Sequence, residues 1–255
     1  MSRTSRFFFR TMPLPALAAA AFLFITACQA PADDAPEYPV DVAWVRQSVE
    51  YAAICRMTYR EAWRAVKAAA AETEGDWVVV LDVDETVLDN SRYQEVLFER
   101  GIAFPEYWDD WVREEACPPV PGAVAFIDSV RSLGPRAHIA YITNRNAPLE
   151  AATRANLDKV GLWREGDVLL CQVDRSDSKV KRRNEVKTGS GRCAGMGERT
   201  ILALVGDQLA DVTAYPEDVA PEAYRGHYRG MPEWGTRWFI LPNPMYGYWA
   251  RGYAR

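Results

Sequence analysis

The chain has 255 residues, 49% of them hydrophobic and 25% charged, enough apolar material for a sizeable core, most simply one domain with an elaboration. Its formal net charge of −5 argues against a nucleic-acid backbone as partner. The 9 Trp and 12 Tyr exceed what a core needs, so some are expected to face a ligand.

At the N-terminus Arg3, Arg6 and Arg10 precede an apolar run from Leu14 to Ile25, too short for a comfortable transmembrane helix and arranged as an export signal. The ending Ile25-Thr26-Ala27-Cys28 resembles a bacterial lipobox, whose Cys becomes the lipidated first residue of the mature chain; ordinary cleavage near Ala30, with Cys28 lost, is the alternative. Gln29, rather than Asp, follows Cys28 and resembles an outer-membrane retention signal. The expected organisation is a signal peptide over 1–27, a Pro-, Ala- and acid-rich tether over 28–40 and one domain over 41–255, exported and held at the outer membrane on its periplasmic or surface face. Losing residues 1–27 removes three Arg and no acid, so the mature chain is more acidic still. Export bears on Cys55, Cys117, Cys171 and Cys193: an even number in an oxidising compartment permits two disulfides in any of three pairings, and buried free thiols are equally allowed. No two of them stand at C-x-x-C spacing, which argues against a zinc or redox motif.

From Val42 to Ala71, apolar residues at three-to-four spacing (Trp44, Val45, Val49, Ala52, Tyr59, Trp63, Val66) predict a helix that Gly75 terminates. Trp77 to Leu81 is a short β-branched run, the pattern of a strand buried on both faces, and it ends abruptly in Asp82, Asp84, Glu85, Thr86 and Asp89. Asp82 and Asp84 share one face of an extended chain, and the end of such a strand is where open α/β sheets bind ligands. A calcium loop is excluded, because its sixth and twelfth positions hold Val87 and Tyr93 instead of Gly and Glu. Residues 91–121 read as an insertion with a helical start (RYQEVLFERG), an aromatic stretch (FPEYWDDWVREE) and a Pro-rich turn. Trp108 and Trp111 fall near one face of a helix there, with Trp111 read as core.

A helix over Pro121–Ser132 leads to a strand over Ala137–Thr143 that ends in Thr143-Asn144-Arg145, and a helix over Ala147–Leu157 follows. A short strand, LLCQV, comes next, then a basic segment, DRSDSKVKRRNEVK, of the kind that usually forms a solvated helix face. Ile201–Val205 is a strand ending in Gly206-Asp207, and Trp238–Leu241 is the last. This alternation predicts an α/β fold whose parallel sheet is built of right-handed crossovers. Parallel strands bring their C-terminal ends to one side, so Asp82 with Asp84, Thr143 with Asn144, and Asp207 with Asp211 converge although about 60 residues separate each group. Carboxylates so crowded cannot all stay ionised without a balancing cation, and hard oxygen donors suit Mg²⁺. The only His residues, His138 and His227, are not in an R-H-G setting, and no G-x-S-x-G or Walker loop occurs.

The strand followed by D-x-D-E-T resembles the first signature of the haloacid-dehalogenase-like (HAD) phosphohydrolases. In its longer form, LDVDETVLDNS, it resembles the class C acid phosphatases, bacterial outer-membrane lipoproteins that dephosphorylate nucleotides. TNR, GDQLAD and LPNPMYGYW follow in the family's order, so the resemblance spans roughly residues 42 to 250. It implies a HAD-like Rossmannoid three-layer α/β/α fold with a small helical subdomain from 41–74 and 91–120. It further implies that Asp82 is the nucleophile and Asp84 the general acid and base. Asp82, the Asp84 carbonyl, Asp207 and Asp211 would hold Mg²⁺ or its waters, while Thr143, the Asn144 backbone and Lys179 would hold the phosphoryl oxygens. DRSDSK carries one residue more than the family's D-K-S-x-K, which leaves Lys181 as the rival to Lys179. GDQLAD departs from GDNLxD at Gln208, and Ala210 stands where Asp is also common, while the later Asp is kept. Trp108 and Tyr246 align with two aromatics that sandwich a nucleobase. The implied activity is that of a lipid-anchored, Mg²⁺-dependent acid phosphatase or 5′-nucleotidase acting on small phosphomonoesters. A phosphomonoesterase without nucleotide preference, or a non-enzymatic ligand-binding surface lipoprotein, are the alternatives, and a homo-oligomer is left open.

Overall fold

The computed structural model describes residues 38–214 and 226–250. The signal segment 1–27, the lipidation candidate Cys28 and the tether up to residue 37 lie outside the described residues. Among the described residues no helix is long and apolar enough to cross a membrane.

Two helices stand where the apolar spacing predicts one: α1 (Val40–Gln47) and α2 (Val49–Glu72). Ser48 separates them in an extended conformation, and both of its polar ends are used. Its backbone N–H closes α1 on the Trp44 carbonyl (3.1 Å), and its Oγ accepts from the Tyr51 N–H (3.0 Å) to cap α2. A serine that satisfies an otherwise orphaned N–H in this way favours starting a new helix over continuing the old one. Tyr51, Cys55, Tyr59, Ala62, Val66 and Ala70 then form one buried stripe along α2.

The strands β1 (Trp77–Leu81), β2 (Ala137–Asn146), β3 (Val168–Gln172), β4 (Thr200–Gly206) and β5 (Trp238–Ile240) form one sheet in the order β3-β2-β1-β4-β5. Every neighbouring pair is parallel, and Leu81 at the end of β1 lies opposite Tyr141 on one side and Val205 on the other. β1 is fully buried, as its uninterrupted apolar run requires. Its side chains alternate between two cores. Trp77, Val79 and Leu81 join Ala62 and Val66 of α2, Phe126 and Ile127 of α5 (Ala123–Arg131) and Leu157 of α6 (Glu150–Lys159). Val78 and Val80 point the other way, into a layer with Val186 of α7 (Lys179–Thr188) and Val212 of α8 (Leu209–Val212). Helices on both faces of a parallel sheet make this a three-layer α/β fold.

The insertion after β1 supplies α3 (Ser91–Arg100) and α4 (Trp108–Arg113). α1 packs against α3, α4 against α6, and α2 against α5 and β4. Between β1 and α3 the chain forms a tight loop in which the Val83 carbonyl accepts from Val87 and Leu88 (both 2.9 Å), with Glu85 at a left-handed φ of 52°. The loop turns Asp82 and Asp84 toward the same rim of the sheet. Cys55, Cys117, Cys171 and Cys193 are all buried and free, so of the two states their number allowed, the structure has the reduced one.

Candidate active site

The C-terminal ends of β1, β2 and β4 open into a cleft of about 470 Å³. Asp82 follows β1 directly, its N–H tied to the Val205 carbonyl (2.9 Å), so the nucleophile candidate is fixed to the backbone of the neighbouring strand. Asp207 follows β4, and Asp211 sits one helical turn further along in α8. One carboxylate oxygen from each of Asp82, Asp207 and Asp211 lies within 4.8 Å of the others, and all three residues are buried. Gly206 makes this approach sterically possible, since a Cβ there would overlap the Asp211 carboxylate. Asp211 also closes a reciprocal cap with Gln208: its Oδ2 accepts from the Gln208 N–H (2.8 Å), and the Gln208 side chain accepts from the Asp211 N–H. Gln208 therefore serves as the cap of α8 despite departing from the family's Asn.

Lys179, the first residue of α7, reaches between two of these acids, bonding Asp82 Oδ1 and lying 2.5 Å from Asp211 Oδ1. Lys181 is exposed on the same helix, so geometry separates the two candidate lysines. Burial pushes the Asp82 carboxyl up to about 7, against the lowering effect of Lys179. Asp207 is held well above the usual carboxylate range by burial and by Asp211 and Asp82. Burial works to lower Lys179, but Asp211 and Asp82 outweigh it and keep the ammonium firmly charged. Among the described residues one ammonium faces three buried carboxylates, which leaves the cluster short of positive charge. A hard divalent cation fits that deficit and that all-oxygen donor set.

Asp84 stands beside this cluster in a different setting. Its Oδ1 accepts from Asn90 Nδ2 (2.9 Å) and from Nε and Nη2 of Arg145 (2.9 and 2.8 Å). Among the described residues its Oδ2 accepts only from the Thr143 hydroxyl, at 3.2 Å. Thr143 is fully buried behind the cleft, its hydroxyl shared between Asp84 and the Arg145 N–H (3.1 Å), whereas Asn144 lines the cleft itself. The remaining wall is aromatic. Trp108 is half-buried, with Tyr93 and Phe104 edge-on to it at 5.0 and 5.9 Å and the Arg145 guanidinium over its ring at 5.6 Å. Tyr246 also lines the cleft, and Trp111 is buried with its Nε1 on Asn90 Oδ1 (3.0 Å).

The fold thus brings Asp82, Asp84, Asn144, Lys179, Asp207, Asp211, Trp108 and Tyr246 to one cleft. Four further residues that sequence reading assigned no role also converge here. Asn90 and Arg145 hold Asp84, and Asn243 donates to Asp207 Oδ2 (2.7 Å) while its own Oδ1 accepts from the Met245 N–H (3.0 Å). Glu85 is the fourth, buried directly after Asp84, its carboxyl held well above the usual range by burial and by Asp84 and Asp207. Asn90, Arg145 and Asn243 all lie inside stretches that carry the resemblance, LDVDETVLDNS, TNR and LPNPMYGYW, and that placement was their signal in the sequence.

The family model for HAD superfamily, subfamily IIIB (acid phosphatase) matches residues 18–249. A structure of the class C acid phosphatase from Bacillus anthracis superposes with a TM-score of 0.72 at 31% sequence identity, covering 82% of this chain and 85% of that one. A second structure of that protein, with tungstate bound, gives 0.71 at 30% identity over the same shares.

Asn243→Ala removes the one side-chain hydrogen-bond donor to Asp207 among the described residues, and the expected outcome is a divalent-cation affinity weaker by roughly ten- to hundredfold. Calorimetric titration with Mg²⁺ reads it, and an unchanged affinity would remove Asn243 from the site. The same titration on the unsubstituted protein is expected to give weaker binding at pH 5.5 than at pH 7.5. The raised Asp82 and Asp207 carboxyls hold protons in acid that a cation must displace.

Proposed function

The chain belongs to the subfamily IIIB acid phosphatases of the HAD superfamily and is a phosphomonoesterase of the class C type, and from that premise we propose that it is a Mg²⁺-dependent 5′-nucleotidase tethered to a membrane through Cys28. The observation that carries the reading is the joining of the Asp82–Lys179–Asp207–Asp211 cluster and an aromatic wall within one cleft. The acids provide for phosphoryl transfer, and the wall offers flat apolar surface to a leaving group that a simple phosphate ester would not need.

Asp82 attacks phosphorus in line, forming a carboxylate O–P bond as the ester P–O bond breaks, and the phosphoryl group is held on Asp82 as an acyl phosphate. Asp84 donates its proton to the leaving alkoxide. Because Oδ1 is committed to Asn90 and Arg145, Oδ2 is the oxygen that carries that proton. Asp84, now a carboxylate, then takes a proton from the water that attacks phosphorus, which frees inorganic phosphate and restores Asp82. Lys179, between Asp82 and Asp211, brings positive charge to the non-bridging oxygens throughout. Bound Mg²⁺, held by Asp82, Asp207, Asp211 and the Asp84 carbonyl, would neutralise the carboxylates and screen the transferring group. Trp108 and Tyr246 stack on the base, an interaction with every base's π-face that selects nucleotides without choosing sharply among them. Tethering outside the inner membrane would place the enzyme where nucleotides too charged to cross that membrane are met.

Phosphate release from a nucleoside 5′-monophosphate is expected to require Mg²⁺, to stop with EDTA and to be lost in Asp82→Asn; turnover that survives in Asp82→Asn would sink the acyl-phosphate route. Trp108→Ala and Tyr246→Ala are each expected to raise KM for the nucleotide roughly 5- to 150-fold, the equivalent of about 1–3 kcal/mol of stacking, with a much smaller rise for a small aryl phosphate. Equal rises for both substrates would point instead to a phosphomonoesterase without nucleotide preference. Incorporation of labelled fatty acid into the full-length protein is expected to vanish in Cys28→Ser, and label retained in that variant would count against the tether.

A further inference from the structure

Helix α7 carries five cations in nine residues, the run that reads as a solvated face: Lys179, Lys181, Arg182, Arg183 and Lys187. Only part of it is solvated. Lys181 and Lys187 are exposed, while Arg182 is fully buried and Arg183 is 9% exposed. The two guanidiniums leave the helix in different directions. Arg183 donates to the carbonyls of Ala210 (3.0 Å), Asp211 (2.7 Å) and Thr213 (2.6 Å), bracing the segment that carries Asp211. Arg182 reaches the end of β2, where its Nη1 donates to the carbonyls of Thr143 and Leu170 (3.2 Å for the latter) and its Nη2 donates to Asn144 Oδ1 at 2.7 Å. Its nearest carboxylate is Asp177 at 3.7 Å. A buried guanidinium is a poor way to fill a core, and this one is spent on the loop that borders the cleft.

An asparagine amide has one acceptor and one NH₂ group, and the two orientations of the amide present opposite ends to a ligand. A guanidinium has only donors, so the atom facing Arg182 must be the oxygen, whatever else surrounds it. With Oδ1 committed to Arg182, the NH₂ end is what Asn144 retains, and it has no other hydrogen-bond partner among the described residues. Asn144 is exposed and lines the cleft with Asp82 and Lys179. We propose that Arg182 is a positioning residue that locks the Asn144 side-chain amide with its NH₂ toward the cleft, which makes that amide a donor to a substrate phosphate oxygen. Without Arg182 the amide is free to turn, and half of its orientations set a carbonyl oxygen against an anion. The inference rests on the cleft taking a phosphomonoester and adds a side-chain donor to the backbone contact expected at residue 144.

The test uses the full-length protein with inorganic phosphate as the probe, read both by calorimetry and as a competitive inhibitor of aryl phosphate hydrolysis. Asn144→Ala and Arg182→Met are each expected to weaken phosphate binding and raise KM about tenfold, the scale of one hydrogen bond to a charged group. The double variant is expected to lose no more than either single one, because the two residues act through one amide. Losses that multiply to about a hundredfold would overturn the proposal, as would phosphate binding left unchanged in Asn144→Ala. Asn144→Asp covers the case in which Arg182→Met does not fold. It is isosteric, keeps a partner for Arg182 and is expected to hold its Tm while weakening phosphate more than Asn144→Ala does; tight phosphate binding by Asn144→Asp would also overturn it. Calorimetry separates this from the enzymatic reading, since a protein that binds phosphate through Asn144 but turns over no ester would fail only the latter.

Discussion

Three buried carboxylates share a volume less than 5 Å across at the end of the sheet, and their mutual repulsion is the constraint to which the surrounding structure responds. Asp82 is raised to about 7 even with Lys179 against it, and Asp207 too is held well above the usual carboxylate range, so the cluster in isolation favours holding protons. Each acid is therefore gripped by a donor from another element: Asp82 and Asp211 by Lys179 of α7, Asp207 by Asn243 after β5. The parallel sheet makes the encounter possible. β1 and β4 are neighbours, so residues 82 and 207 leave the sheet side by side despite their distance along the chain.

A second set of polar residues holds the groups that hold the site. Asn90 donates to Asp84 while its carbonyl oxygen receives the Trp111 indole (3.0 Å), the Cys117 thiol (3.2 Å) and Arg145 (3.3 Å). The helical insertion that carries Trp108 is thereby hydrogen-bonded to the acid–base candidate through one side chain. Arg145 extends the link, lying over the Trp108 ring and fixed from behind by Thr153 (3.3 Å). The aromatic wall and the proton-transfer group thus form one network, in which a shift of either is felt by the other. Asn243 does similar work at the opposite side, joining Asp207 to the backbone of the loop that presents Tyr246.

Where the structure departs from the pattern of the sequence, a local polar interaction overrides periodicity. The apolar spacing through Val45 and Val49 runs across Ser48 without a break, yet the serine's capping bond divides the helix there. The segment KVKRRNEVK has the composition of a solvated helix. Its Arg182 and Arg183 are nevertheless buried, because backbone carbonyls at the ends of β2 and α8 supply the acceptors that water otherwise would. Gln208 stands where the family has Asn, and the reciprocal cap with Asp211 explains how the longer side chain is accommodated.

What the sequence by itself determined is carried by short-range signals. The β-branched runs of Trp77–Leu81 and Ile201–Val205, with the acids that directly follow them, sufficed for a parallel α/β fold and for the placing of Asp82, Asp84, Asp207 and Asp211 at one rim. Such signals survive because a strand's burial and its end are properties of a few consecutive residues. Tertiary structure alone decided between Lys179 and Lys181, since the choice depends on which helical position faces the cleft. It also placed the Thr143 hydroxyl behind Asp84, left the four cysteines as buried free thiols, and gave Asn90, Arg145, Asn243 and Arg182 their roles. Most of the partners that define those roles lie tens of residues away along the chain, the local Asn90–Asp84 contact excepted, and the meaning of a buried donor lies in the acceptor that the fold brings to it.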